Sequence, residues 1–142
     1  MNLFAKVAPA GDLFFAVTLS PFQPSISGKM SVQWNILAEP GQLDRIMENS
    51  KKRAQVIFKH STRCSTSALA LSRLERSGLS GHFDAHFLDL IKYRDLSHLI
   101  AETFHVHHES PQILVIRDGH CIYDESHLAI DPLEIESLAE KN

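Results

Sequence analysis

The segment Gln55-Val56-Ile57-Phe58-Lys59-His60-Ser61-Thr62-Arg63-Cys64-Ser65-Thr66-Ser67 decides the architecture. Gln55 to Phe58 is a short, almost wholly apolar run, the pattern of a central strand covered on both faces. From Ser65 to Ser77 the period changes. Ala68, Leu71 and Leu74 fall on one stripe of a helix, and Gly78 is placed to end it. A cysteine therefore stands where a buried strand hands over to a helix.

The same alternation extends in both directions. Upstream, Val32 to Leu37 has the period of a strand, and Gln42 to Lys52 that of a helix carrying Leu43, Ile46 and Met47. Downstream, His82 to Ile91 is a strand, and Arg94 to Phe104 a helix with Leu96, Leu99, Ile100 and Phe104 on one face. Gln112 to Ile116 and His120 to Tyr123 are strands joined by Asp118-Gly119, a strong hairpin signal. Asp131-Pro132-Leu133-Glu134 opens a last helix, with Asp131 as N-cap, Pro132 at the first helical position and Glu134 completing a capping box. The order is βαβαβαββα. Strands joined through helices are expected to run parallel, and the hairpin pair antiparallel. The fold class is α/β: a mixed five-stranded sheet flanked by helices, the layout of the thioredoxin fold.

Composition sets the outer bounds. The 142 residues include 17 acidic and 14 basic side chains, 44% hydrophobic residues and 22% charged ones, which are globular values. This length suits one domain. A net charge of −3 gives no reason to expect a nucleic-acid partner. No apolar run approaches the roughly 18 residues of a membrane helix, so no membrane partner is expected. Two cysteines cannot staple a secreted scaffold, which favours a reducing, cytoplasmic compartment. Residues 1–29 read differently, with Pro9, Gly11, Pro21, Pro24 and Gly28 around the cluster Leu13-Phe14-Phe15-Ala16-Val17. They are expected to form a poorly ordered N-terminal extension, with the domain spanning 30–142.

The strand-to-helix junction is where reactive groups gather in an open α/β sheet. Free N–H groups and the positive end of the helix dipole favour a thiolate at Cys64. Lys59, His60 and Arg63 add to this if they point inward. In such settings a thiol pKa near 8.5 falls to between about 3.5 and 7.5, and the thiolate is the form that attacks disulfides. The plain alternative, a small buried apolar cysteine, sits badly among Ser, Thr and Arg. Cys121, in the short strand Cys121-Ile122-Tyr123, reads instead as structural. Three residues after Cys64 stands Ser67, so the motif is Cys-x-x-Ser; no thiol within the motif can resolve a mixed disulfide, which points to a monothiol route with an external thiol. Ser67 either donates its hydroxyl to the thiolate or is a simple first-turn polar residue. Ser110-Pro111 precedes the fourth strand. It is either a cis peptide that lets the Ser110 backbone pair with an extended substrate, or an ordinary trans proline at a strand start.

These residues carry a resemblance. Val56-Ile57-Phe58-Lys59-His60-Ser61-Thr62-Arg63-Cys64 followed by Ser67, and His108-Glu109-Ser110-Pro111-Gln112, resemble the YtxJ-like family of monothiol bacilliredoxins. Arg94 and Leu96 and the pair Ser126-His127 fit the same pattern, from about Trp34 to the C-terminus. Ser65 departs from the proline associated with the family at that position. The resemblance implies a thioredoxin fold and a thiol–disulfide oxidoreductase that removes bacillithiol, or a similar small thiol, from mixed disulfides on cytoplasmic proteins. It implies Cys64 as nucleophile and a surrounding pocket drawn from Lys59, His60, Ser61, Arg63, Ser67, Arg94, Ser110 and Pro111. Lys59, Arg63 or Arg94 would suit the small thiol's carboxylates; Lys59 and Arg94 read equally as solvated surface charges. S-thiolated proteins and the small thiol are the implied partners, with bacillithiol a co-substrate rather than a bound cofactor.

Metal is not expected. His105, His107 and His108 beside Glu109 match no tetrahedral spacing and read as a surface loop before Pro111. Two other functions compete with the monothiol enzyme: a redox-inert module binding peptides along the Ser110-Pro111 groove, and a dithiol enzyme in which Cys121 resolves Cys64.

Overall fold

The computed structural model describes residues 31–79 and 81–141. The expected N-terminal extension, residues 1–29, lies outside them. The elements are β1 (Trp34–Ile36), α1 (Gly41–Asn49), β2 (Ala54–His60), α2 (Ser65–Arg76), β3 (Phe83–Asp89), α3 (Arg94–Phe104), β4 (Gln112–Arg117), β5 (His120–Ser126), a 3-10 turn (His127–Ala129) and α4 (Pro132–Glu140). The strands form a five-stranded sheet in the order β1-β3-β2-β4-β5. The expected element order and mixed sheet are both present.

β2 is central and all seven of its residues are buried. Its pleat divides the core. Val56 and Phe58 join Ala70 and Leu74 of α2 and Ile135 and Ala139 of α4 on one face. Ile57 joins Leu43 and Ile46 of α1 and Leu96, Ile100 and Phe104 of α3 on the other. Period-two alternation in the strand thus meets period-3.6 stripes in four helices.

One expectation fails. β1, β3 and β2 are mutually parallel, but β4, although reached through α3, runs antiparallel to β2. The reason lies after the helix. His105 caps α3 in the left-handed conformation, with φ 56° and ψ 42°, and turns the chain. Residues 106–111 then deliver it to the end of the sheet where β2 finishes, so that Gln112 opposes Lys59. The segment before Pro111 therefore lies at the same end of the sheet as the Cys64 junction rather than at the far end.

The terminal elements follow their local signals. Asp118 (φ 51°) and Gly119 (φ 79°) make the hairpin turn. Ser50 tethers it, accepting from Asp118 N–H at 3.0 Å and, through its hydroxyl, from Gly119 N–H at 2.8 Å. Asp131 caps α4 by accepting from Leu133 N–H at 3.0 Å, with Pro132 inside the first turn.

Truncating the centre should cost far more than truncating the surface. Ile57→Ala, at a fully buried position, is expected to lower the unfolding free energy by about 2–5 kcal/mol. Leu133→Ala, at a residue 78% exposed, should change it by less than about 0.5 kcal/mol. Urea denaturation of both variants measures the contrast, and equal losses would contradict this division of the core.

Candidate active site

β2 ends at His60, and the chain turns at once: Cys64 N–H donates to Ser61 C=O at 3.2 Å. Cys64 is the N-cap of α2, with extended backbone (φ −120°, ψ 121°), and its carbonyl accepts the first helical bond from Ala68 N–H at 3.1 Å. The residue is half-buried and its thiol is free. The Ser67 N–H lowers the thiol pKa most, partial burial opposes it, and the Thr66 N–H and hydroxyl lower it further. None of these donors closes to a formal cap hydrogen bond. The sulfur is therefore biased toward the anion by the first turn of a helix. Among the described residues, no cationic side chain shifts it.

That last point revises the expected roles of the neighbouring cations. Lys59 leaves β2 toward the α1/α3 face and is fully buried, where its Nζ meets His108 Nδ1 at 2.8 Å and Gln112 Oε1 at 3.0 Å. It is neither a solvated charge nor a group directed at Cys64. Burial pushes its pKa down to about 8. Arg63 is exposed in the turn beside Cys64, with its N–H near Ser61 Oγ at 3.4 Å. Arg94 is exposed at the start of α3 and lines a separate depression with Ala38, Pro40, Lys92 and Tyr93 that includes no residue of the Cys64 turn.

His60 and Ser67 form the buried floor of the junction. The Ser67 hydroxyl does not serve the sulfur. It is fully buried, accepts from Ser61 N–H at 2.9 Å and pairs with His60 Nδ1 at 2.7 Å. The contribution of Ser67 to Cys64 is its backbone N–H instead. Burial lowers the His60 pKa, against the pull of Asp89 and the bond to Ser67, so the ring is neutral at neutral pH. It packs 5.3 Å from the Phe87 ring and 6.0 Å from Phe58. Ser61, also buried, is the node of the turn: its N–H, C=O and hydroxyl all hold backbone or side-chain partners.

The Ser110–Pro111 peptide is cis. Pro111 C=O accepts from His127 N–H at 3.0 Å, and Ser110 Oγ is buried with no protein partner among the described residues. Because β4 begins opposite the end of β2, Cys64, His60, Ser61, Arg63, Ser67, Ser110 and Pro111 share one end of the sheet. Lys59 and Arg94 belong to the opposite helical layer. Sequence reading missed His108 and Gln112 as partners of Lys59. The available signal was a lysine inside a strand otherwise buried on both sides, which must find acceptors.

Cys121 is a different kind of thiol. It is half-buried on β5 against the α1/α3 cluster, and its Sγ donates to Tyr123 C=O at 3.2 Å. Burial pushes its pKa up to about 11. The two cysteines serve opposite faces of the sheet.

Two outcomes follow from these environments. Iodoacetamide should modify Cys64 of the native protein first, with a half-maximal rate at a pH below that of an ordinary thiol, while Cys121 reacts only at strongly alkaline pH or on unfolding. Equal labelling of the two at pH 7 would contradict the site described. Acid should also destabilise the fold. Burial lowers the pKa of His60, His86 and His108 in the native state. The unfolded chain takes up protons as pH falls through the ordinary imidazole value of 6.5, whereas the native chain takes them up only at lower pH. Stability is thus full above that value and lost below it. Urea midpoints between about pH 7.5 and pH 5, with NMR titration of the three rings, would show this; rings titrating at or above the ordinary value would refute it.

Comparison with known proteins agrees with this geometry. A sequence profile described as "Monothiol bacilliredoxin BrxC" matches residues 35–135. A solved structure of a candidate oxidoreductase with a thioredoxin fold is similar at 27% identity and TM-score 0.64, covering 75% of this chain and 92% of its own. Thioredoxin f from spinach chloroplast superposes at TM-score 0.61 with 10% identity, covering 78% and 96%. A mutant thioredoxin from Halobacterium salinarum superposes at TM-score 0.56 with 14% identity, covering 74% and 86%. These last two share the fold alone. A helix-capping thiol with serine three residues on, on a thioredoxin-like sheet and within the matched profile, places the chain in the monothiol bacilliredoxin family as a thiol–disulfide oxidoreductase.

Proposed function

We propose that the protein removes bacillithiol from mixed disulfides on client proteins, in a reducing compartment such as the cytoplasm. The observation that carries this reading is Cys64 at the α2 N-cap, its pKa lowered, with Ser67 standing where a resolving thiol would be. The Cys64 thiolate attacks the bacillithiol sulfur of the mixed disulfide. A Cys64–bacillithiol disulfide forms, and the client sulfur leaves as a thiolate that takes a proton from water. A second bacillithiol thiolate then attacks the bacillithiol sulfur on Cys64. This forms bacillithiol disulfide and returns Cys64 as the anion. The net change is reduction of the client sulfur to a thiol and oxidation of the incoming bacillithiol, which pairs as bacillithiol disulfide with the one taken from the client, already at the disulfide level.

We read the end of the sheet shared by the Cys64 turn and Ser110–Pro111 as the seat of an extended segment bearing the disulfide. The Ser110 backbone offers it strand-like pairing. Arg63, exposed beside Cys64, is the cation best placed for the small thiol's carboxylates. His60, neutral and hydrogen-bonded to Ser67, supports the turn rather than charging it.

The test offers the reduced protein a bacillithiolated client, with glutathionylated and coenzyme A-thiolated clients as parallel arms, and follows adducts by mass spectrometry. The expected result is a bacillithiol adduct on Cys64, release of the client thiol, loss of both in Cys64→Ser, and full turnover in Cys121→Ser. An adduct formed only with another small thiol would reassign the co-substrate. No adduct in any arm, or turnover that requires Cys121, would overturn the reading.

A further inference from the structure

The exchange reaction leaves Lys59 without a part, yet its placement demands one. Lys59 is fully buried in the central strand, and among the described residues no carboxylate lies within ion-pair distance of it. An ammonium enclosed this way is costly, and an apolar side chain of the same length would fill the volume without that cost. Its hydrogen bonds show where the cost is returned. Nζ donates to His108 Nδ1 at 2.8 Å and to Gln112 Oε1 at 3.0 Å. Gln112, itself fully buried, accepts from Glu109 N–H at 3.3 Å and donates to His107 C=O at 2.8 Å and to Asp124 Oδ2 at 3.3 Å. The chain from His107 to Gln112 is thus folded round the tip of Lys59, with Ser110–Pro111 in the middle of the fold. On its other side the Pro111 C=O accepts from His127 N–H at 3.0 Å.

We propose that Lys59 is a positioning residue for substrate: through His108 and Gln112 it holds the Glu109–Ser110–Pro111 wall against the Cys64 turn, and so governs how tightly a thiolated client is held. It does so without touching the sulfur. Lys59 departs from the face of β2 opposite to Phe58 and His60, and it is not among the groups that shift the Cys64 thiol. The proposal rests on the exchange activity assigned to Cys64 above.

The test uses Lys59→Met, which keeps length and loses the donors, and the pair His108→Leu and His108→Gln at a half-buried loop position. The substrate is a peptide carrying bacillithiol in mixed disulfide. Lys59→Met and His108→Leu should raise KM about tenfold with kcat nearly unchanged, and leave the pH of half-maximal Cys64 alkylation where it is. His108→Gln, whose amide oxygen can accept from Nζ, should restore most of the affinity. Lower thermal stability with KM unmoved in His108→Leu would reduce the network to a structural role and overturn the proposal. A shifted alkylation midpoint would also overturn it, because Lys59 would then act electrostatically on the sulfur. If Lys59→Met fails to fold, the His108 pair decides. If the unsubstituted protein exchanges no disulfide, the functional reading falls by itself, and the clasp is judged by amide exchange: faster exchange at Glu109 in His108→Leu, slowed again in His108→Gln, sustains it, and unchanged exchange refutes it.

Discussion

Lys59 and His60 are consecutive, and a strand with no solvent on either side sends them into different layers. β2 is buried over its whole length, so each polar tip at its end must find partners inside the protein. His60 finds Ser67 beneath the α2 first turn. Lys59 finds His108 and Gln112 beneath the segment that leads into β4. The Cys64 turn and the segment leading into β4 are thereby anchored by adjacent residues of one strand, through hydrogen bonds that run to opposite faces. The sheet supplies the rigid distance between them, and the loops supply only the surface.

This arrangement changes the account of how the thiol is activated. A run reading Lys-His-x-x-Arg-Cys invites an explanation in which positive charge gathers round the sulfur. The molecule uses another device. Lys59 is turned away, His60 is neutral, and the donors acting on Cys64 are first-turn N–H groups and the Thr66 hydroxyl. Fixed dipoles of this kind are held by the helix itself and need no counter-charge to be buried with them. The site can stay open to solvent while its polarity remains in place.

Much of this was legible in the residues. The β2 run, the exact span of α3, the Asp118-Gly119 turn and the Asp131 cap are local signals, each decided within a few positions of chain; the expected Ala68/Leu71/Leu74 stripe is not the buried face of α2, which carries Ser67, Ala70 and Leu74 while Ala68 is exposed. Cys64 as an N-cap follows from where a strand period changes to a helix period. What was not legible depends on three dimensions. The direction of β4 is set by the left-handed His105 cap and the return path after it, not by the rule that helix-linked strands run parallel. The partners of Lys59 lie about fifty positions away in sequence, so the need for acceptors could be read but not their identity. Ser67 was correctly placed beside Cys64, but its hydroxyl is aimed downward, and only the packing of His60 under the turn explains that.

The buried Ser67 hydroxyl has a consequence for how reversible this site's chemistry is. Its oxygen closes the turn by accepting from Ser61 N–H while engaging the His60 ring, both within 3 Å. Sulfur is larger and a much weaker acceptor. A drift toward a two-cysteine enzyme would have to rebuild that knot before a second thiol became useful. On the reading proposed above, dependence on a diffusible reductant is in this sense written into the masonry of the turn, and is more than the lack of one atom.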